Sequence, residues 1–275
     1  QEYGSAKEHF EKAAELHRLL KRWNYLEHNY SAWAQVENGE ELSKNDQCEE
    51  AIKIFENASK LFGETKKTLQ AQLRKIEDID EKQMATGMIK ASDLRQEYCK
   101  GRVALEEAKL LDKKGDHFAS SRKYGSAAET FEKIGQTLES EQERKEFRYI
   151  IILSRAWQKM MLGDAKASPE LYLEAATLFE QASKESNTEI AGFLALGHSR
   201  FCKALEAGTG YADTGNPPLH MVAIQHLESA ARYYMKAGFH NASDYAKATG
   251  LLFDAYVHMD NAKKESDPEK KAILY

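Results

Sequence analysis

The sequence predicts an all-α fold, a right-handed superhelix (α-solenoid) built from antiparallel helix pairs. Three observations point there. In the stretch SPELYLEAATLFEQA, Tyr172, Ala175, Phe179 and Ala182 fall at steps of three, four and three, the spacing of one helical face. The same face returns at Tyr3/Ala6/Phe10/Ala13, Cys48/Ala51/Phe55/Ala58, Tyr124/Ala127/Phe131/Ile134 and Leu227/Ala230/Tyr234/Ala237. Copies roughly fifty residues apart mark stacked helix pairs, because one hairpin cannot bury both faces of its own helices. The chain of 275 residues also has only four prolines, so little interrupts long helices.

Taken in order, residues 2–20 read as the second helix of a repeat, and 22–38 as the next helix, with Trp23, Tyr30, Trp33 and Val36 available for packing. Gly39 and a polar loop are expected to separate it from the helix around Phe55. Residues 64–114 break the regular spacing and read as one long helix bent near Thr86-Gly87, or as two helices. A glycine inside a helix costs about 1 kcal/mol against Ala, which does not decide between them. The repeat at 117–135 follows Gly115-Asp116, and the next is expected to follow a helix closed by Gly163, with Asp164 placed like Asp116. Ser168 can cap that repeat's helix, and Pro169 suits its first turn because the missing N–H had no partner there.

Ser140 with Glu143, and Ser186 with Glu189, have capping-box spacing for helices ending near Leu162 and Ala207. Gly-rich residues 208–218 read as a connecting loop. Pro217-Pro218 then begins a helix to Ala237, Asn241 or Ser243 begins another to about Lys263, and Asp267-Pro268-Glu269 resembles one further start. The expected organisation is one α-solenoid domain over 1–275, of about five to six hairpins, entered and left mid-repeat.

The Ala–aromatic–Ala face resembles the second helix of the tetratricopeptide repeat. The first-helix signature of that family, Trp, Leu-Gly and Tyr, is absent. Each first helix instead offers a small residue, Ala32, Ala108, Ala156 or Ala204. The longer repeats look more like the soluble NSF attachment proteins (SNAPs). This resemblance implies a superhelical scaffold that holds peptides or helices in a groove lined by first helices. Some tetratricopeptide members clamp a terminal carboxylate there through Lys, Arg and Asn. Arg22, Asn29, Arg102 and Arg155 lie on first helices but match no clamp pattern position by position. Leu274 is penultimate, as a functional leucine is in the SNAP family, but Glu269-Lys-Lys-Ala replaces its acidic approach. No Phe-Phe membrane loop stands near the start. A vesicle-fusion adaptor is therefore less favoured.

The charge and motif content narrow the function classes. A net charge of −5 and no basic stripe argue against a nucleic-acid binder. The longest strongly apolar run, Tyr149–Leu153, is far too short for a membrane span. The chain carries no secretory or transit signal, and its three scattered cysteines suit a reducing compartment, so a cytoplasmic protein is expected. Gly210–Gly215 imitates phosphate-loop spacing, but Asn216-Pro217 replaces the Lys-Ser/Thr. His198 and Cys202 stand one turn apart and could share a metal, although two ligands from one helix make a weak site. No histidine follows a Glu by three residues, and no Gly-x-Ser-x-Gly turn occurs. The expectation is a protein that is not an enzyme and uses no cofactor or metal.

The functional signal sits near the C-terminal end. The helix at 243–262 carries Tyr245, Ala248, Leu252, Tyr256 and Met259, a stripe expected to pack inward. Ala246, Gly250, Phe253 and Val257 form a second stripe, expected to face out with Leu251 beside it. Together with Met221, Tyr233 and Phe239, the residues Leu251, Phe253 and Val257 are the expected protein-binding patch. A segment at 269–275 with Ile273 and Leu274 is the competing cover. The expected function is a protein-interaction scaffold that takes a peptide or helix in its groove, or a partner on this apolar patch. The alternatives are a homodimerisation module, natural or engineered at its surface, and a small-molecule sensor.

Overall fold

The computed structural model describes residues 3–20 and 24–266. Among the described residues the chain is helical, with no strand. The ten helices are α1 (Tyr3–Leu20), α2 (Asn24–Lys44), α3 (Cys48–Gln72), α4 (Ile79–Lys113), α5 (His117–Thr137), α6 (Glu141–Lys166), α7 (Pro169–Glu185), α8 (Glu189–Thr214), α9 (Pro217–Lys236) and α10 (His240–Lys264). They fall into two compact units, Gln1–Ser140 and Glu141–Tyr275. Within each unit every helix packs on its neighbours in the chain, the organisation of an α-solenoid. Trp23, Arg22 and the expected elements at 267–269 and 269–275 lie outside the described residues.

The repeated face is the core. Cys48, Phe55, Tyr124, Phe131, Tyr172, Phe179, Leu227 and Tyr234 are each 6% exposed or less, on α3, α5, α7 and α9. The expected small residues of the even-numbered helices, Ala32, Ala108, Ala156 and Ala204, are fully buried. Fully burying one such aromatic contributes about 1.5–3 kcal/mol before ordering costs, so these helices are held by tertiary packing rather than by propensity.

Glycines complete the pattern, against expectation. Gly39, Gly101, Gly163 and Gly197 lie inside α2, α4, α6 and α8, each beneath an aromatic ring of the following helix: Phe55, Phe131, Tyr172 and Tyr234. Each glycine stands seven residues from the small residue of the same helix: Ala32/Gly39, Gly101/Ala108, Ala156/Gly163 and Gly197/Ala204. Seven residues are close to two full turns, so each pair shares a face. Every one of these helices thus presents two small residues two turns apart, and the next helix answers with two large ones, such as Tyr172 and Phe179.

Several boundaries move for this reason. α2 does not end at Gly39 but continues to Lys44, and α6 passes through Gly163 to Lys166. The left-handed residue after α6 is Ala167 (φ 49°). Gly208 and Gly210 lie within α8, so the expected loop shrinks to a turn around Gly215, whose φ of 64° closes the helix. Gly208 instead makes room for the ring of Phe253. A glycine read as a stop signal is here a gap shaped for a ring.

Gly115-Asp116 and Gly163-Asp164 also do different work. Gly115 takes the left-handed turn (φ 76°), and Asp116 caps α5 by accepting from Ala119 N at 2.9 Å. Asp164 instead accepts from the Tyr172 hydroxyl at 2.8 Å. Ser168 and Pro169 begin α7 as expected. Thr188 caps α8 rather than Ser186, its hydroxyl accepting from Ala191 N. Ser186 donates back to Ser183 O at 2.9 Å, closing α7. α10 begins at His240, ahead of Asn241 and Ser243.

Residues 64–114 prove to be the end of α3, one 3-10 turn at Leu73–Lys75, and the 35-residue α4, which runs unbroken through Gly87. Asp78 caps α4 by accepting from Glu81 N at 2.8 Å. Two glycines of α4 give a paired test. A Cβ on Gly87 meets nothing within 4 Å, whereas one on Gly101 falls 2.5 Å from a ring carbon of buried Phe131. Gly87→Ala is expected to stabilise by up to about 1 kcal/mol. Gly101→Ala is expected to destabilise, because overpacking costs about 1–3 kcal/mol and outweighs the propensity gain. Urea unfolding of both variants decides it; equal stabilisation would remove the ring-over-glycine account.

Candidate functional site: the outer face of the last described helix

α10 packs on α9 through the face expected to be outermost. Ser243, Ala246 and Gly250 are buried, and Phe253 and Val257 are half-buried. Ile224 and Leu227 of α9 lie near Gly250, and the Phe253 ring rests on Gly208 of α8. The expected inward stripe is the exposed one: Tyr245 is 66% exposed, Leu252 50%, Tyr256 52% and Met259 41%. The two stripes have exchanged roles. The physical reason is the size of their small residues. Gly250 and Ala246 let α9 approach closely, and Tyr245 and Tyr256 are bulky enough to prevent it.

The expected patch residues therefore divide. Met221, Phe239 and Leu251 are exposed, Leu251 by 71%. Tyr233 is half-buried beside Phe193 of α8, with ring centroids 6.2 Å apart, and Lys236 stands over both rings. Phe253 and Val257 belong to the packing between helices. Tyr245, Ala248, Leu252, Ala255, Tyr256 and Met259 form the outward row, spaced to share one face, with the Tyr245 ring also 5.7 Å from that of Phe201 on α8. Alanine at 248 and 255 is exposed as well. The sequence signal for this row was present; what it lacked was the choice of face. Exposed apolar patches of several hundred Å2 mark interaction surfaces.

Two buried polar clusters elsewhere are engaged within the fold, although Nε of Arg102 in the first has no hydrogen-bond partner. In the first unit, Arg102 of α4 lies 2.9 Å from Glu40 of α2 and stacks over the Phe55 ring. Fully buried Glu106 accepts from Ser43 at 2.6 Å and from Lys109 at 2.9 Å, and Tyr98 donates to Glu40 at 2.9 Å. Burial opposes the charge on Arg102, but Glu40 and Glu106 beside it hold the guanidinium protonated. Arg102 is thus engaged with its own chain. Arg95 donates to Asn29 at 2.9 Å over the Trp33 and Phe62 rings, and Arg155 donates to Gln158 at 3.0 Å.

In the second unit His198 is enclosed by Trp157, Phe179 and Tyr234, and its Nδ1 shares a 2.9 Å hydrogen bond with the Tyr234 hydroxyl. Burial lowers its pKa to about 4, so the ring is neutral at pH 7. Cys202 is fully buried and its thiol is pushed up by that burial and then by Asp164. Burial also raises Cys48 to about 11 and Cys99 to about 12, in both cases with a nearby glutamate adding to the shift. All three cysteines are buried free thiols, and that burial disfavours the reactive thiolate. Among the described residues no three His, Cys, Asp or Glu side chains converge on a metal position, and no helix is long and apolar enough to cross a membrane.

The chain matches no family model, no curated protein and no solved structure. Its own geometry therefore carries the functional reading.

Proposed function

We propose that this chain is a non-catalytic protein-interaction scaffold of tetratricopeptide-like or SNAP-like character, whose binding surface is the outer face of α10. The observation that carries this reading is the row Tyr245, Leu252, Tyr256 and Met259, each at least two-fifths exposed, on a helix whose opposite face is already packed. Because these four side chains are about half exposed, removing the rest of their surface from water contributes roughly 3–6 kcal/mol before the costs of association. The surface suits an apolar helix face, because its exposed side chains are large and apolar or aromatic.

A photoreactive phenylalanine analogue in place of Leu252 tests this. The expected result is a specific protein adduct that Tyr245→Asp with Tyr256→Asp abolishes, and that Ile79→Asp, at an 80% exposed position in the first unit, leaves unchanged. Adduct formation indifferent to the α10 substitutions would refute the assignment of this face.

A further inference from the structure

We infer that the strip of α8 formed by Phe193, Leu196, Arg200 and Lys203, open between α7 and α9, binds a short acidic peptide segment that carries an apolar side chain. This site is separate from the outer face of α10. The four residues follow at steps of three, four and three, so they share one helical face, and all four are half-buried. Their neighbours belong to α7 and α9. Glu180 of α7 lies 3.8 Å from Arg200 and 2.8 Å from Lys203, and Tyr233 of α9 lies beside Phe193. Other residues of α8 face α6 and α10, His198 against Trp157 and Phe201 against Tyr245. The strip thus looks out between two second helices, away from any groove lined by first helices. At its apolar end it floors a recess of about 320 Å3, where Phe193 and Leu196 meet Ser183 and Ser186.

Charge selects the occupant. Lys203 donates to Glu180 at 2.8 Å. Among the described residues Arg200 makes no side-chain hydrogen bond, and its one ion pair is the long contact to Glu180. Lys236 of α9 stands over the Phe193 and Tyr233 rings, with no ion pair among the described residues. Phe193 and Arg200 are about 10 Å apart along α8, so two under-used cations bracket an apolar floor. Glu189 is the opposing charge, exposed at the rim of the recess. The positive field reaches His226 of α9, whose pKa is lowered by burial and then by Arg200 and Lys203. The matching strip of α4 is neutralised within the chain. Counted from Gly101 as α8 is from Gly197, it reads Glu97, Lys100, Ala104 and Glu107. Lys100 pairs with Glu97 and Lys123 with Glu107, both at 2.6 Å. In α8 the arginine is left short of an acceptor. A carboxylate supplies one in the paired geometry a guanidinium prefers, while an apolar side chain beside it enters the recess over Phe193 and Leu196.

The test is fluorescence anisotropy with labelled nonapeptides that place a leucine between two glutamates, and a matched set with lysines in place of the glutamates. The glutamate peptides are expected to bind, more weakly as salt rises, and the lysine peptides are not. Arg200→Gln with Lys236→Gln should weaken binding at least about tenfold while circular dichroism stays unchanged. Glu180→Gln should tighten it, because the resident competitor for Arg200 is gone; a merely structural role for these residues predicts no such gain. Tyr245→Asp with Tyr256→Asp should leave peptide binding unchanged, so this result and the α10 adduct stand or fall separately. No binding of any glutamate peptide at millimolar concentration, equal binding of the lysine peptides, or indifference to Arg200→Gln with Lys236→Gln would overturn the inference.

Discussion

Replacing Arg102 by Met is expected to destabilise the first unit by about 3–5 kcal/mol, the range for removing one partner of a buried ion pair. The loss comes from the acids left behind more than from the missing contact. Glu106 is fully buried and would keep Lys109 as its one nearby cation, beside the neutral Ser43 and Cys48. Glu40, at 15% side-chain exposure, would keep the Tyr98 hydroxyl. The double variant Arg102→Met with Glu106→Met is expected to recover more than half of the loss, because well-packed apolar groups replace buried ions at little net cost. Urea unfolding of both single variants and the double variant gives the coupling energy. Strictly additive effects would show that the Arg102–Glu106 side of the network does not act as a unit.

Acid is expected to weaken the second unit well before ordinary carboxylate titration. His198 is held near pKa 4 by burial, against an ordinary value of about 6.5. The unfolded chain therefore binds a proton between those values and the folded chain does not. Stability is then complete above about pH 6.5, falls by about 2 kcal/mol at pH 5, and has lost about 3 kcal/mol by pH 4. His226 is lowered too, by burial and then by Arg200 and Lys203, so its contribution has the same sign. Glu180 is held low, first by its hydrogen bond from Lys203, and its loss comes only at lower pH. His198→Phe keeps an aromatic ring among Trp157, Phe179 and Tyr234. It should flatten most of the decline between pH 7 and pH 5, although the Tyr234 hydroxyl loses its partner and the variant starts less stable. Denaturant midpoints at the two pH values measure this. An unchanged slope would assign the decline to other groups.

Both effects involve side chains whose partners the one-dimensional pattern does not show. In the sequence Arg102 is one first-helix arginine among several, and nothing in the spacing distinguishes Glu106. They become a network only because α2 and α4 flank α3 and bring Glu40 and Ser43 beside them. His198 and Cys202 drew attention by their one-turn spacing. Three aromatic residues from three other helices made that turn a neutral, enclosed site.

The sequence by itself determined the helices and the core of this protein. Periodicity of three and four selects a helical face without reference to distant residues, and every motif face from α3 to α9 is buried as its spacing required. Local chemistry also settled the starts of α7 and α9, where Pro169 and Pro217 occupy first-turn positions. Tertiary structure decided what each small residue was for. Gly163 and Gly39 have the local signature of helix ends, and only the rings of Tyr172 and Phe55 show them to be packing gaps. The same limit governs α10, where both stripes are apolar and share one helical period. Periodicity fixes the angle between two faces but not which of them meets a neighbour. That choice fell to the stripe with Ala246 and Gly250, because the backbones of α9 and α10 could come closest there, and it left Tyr245, Leu252, Tyr256 and Met259 facing outward.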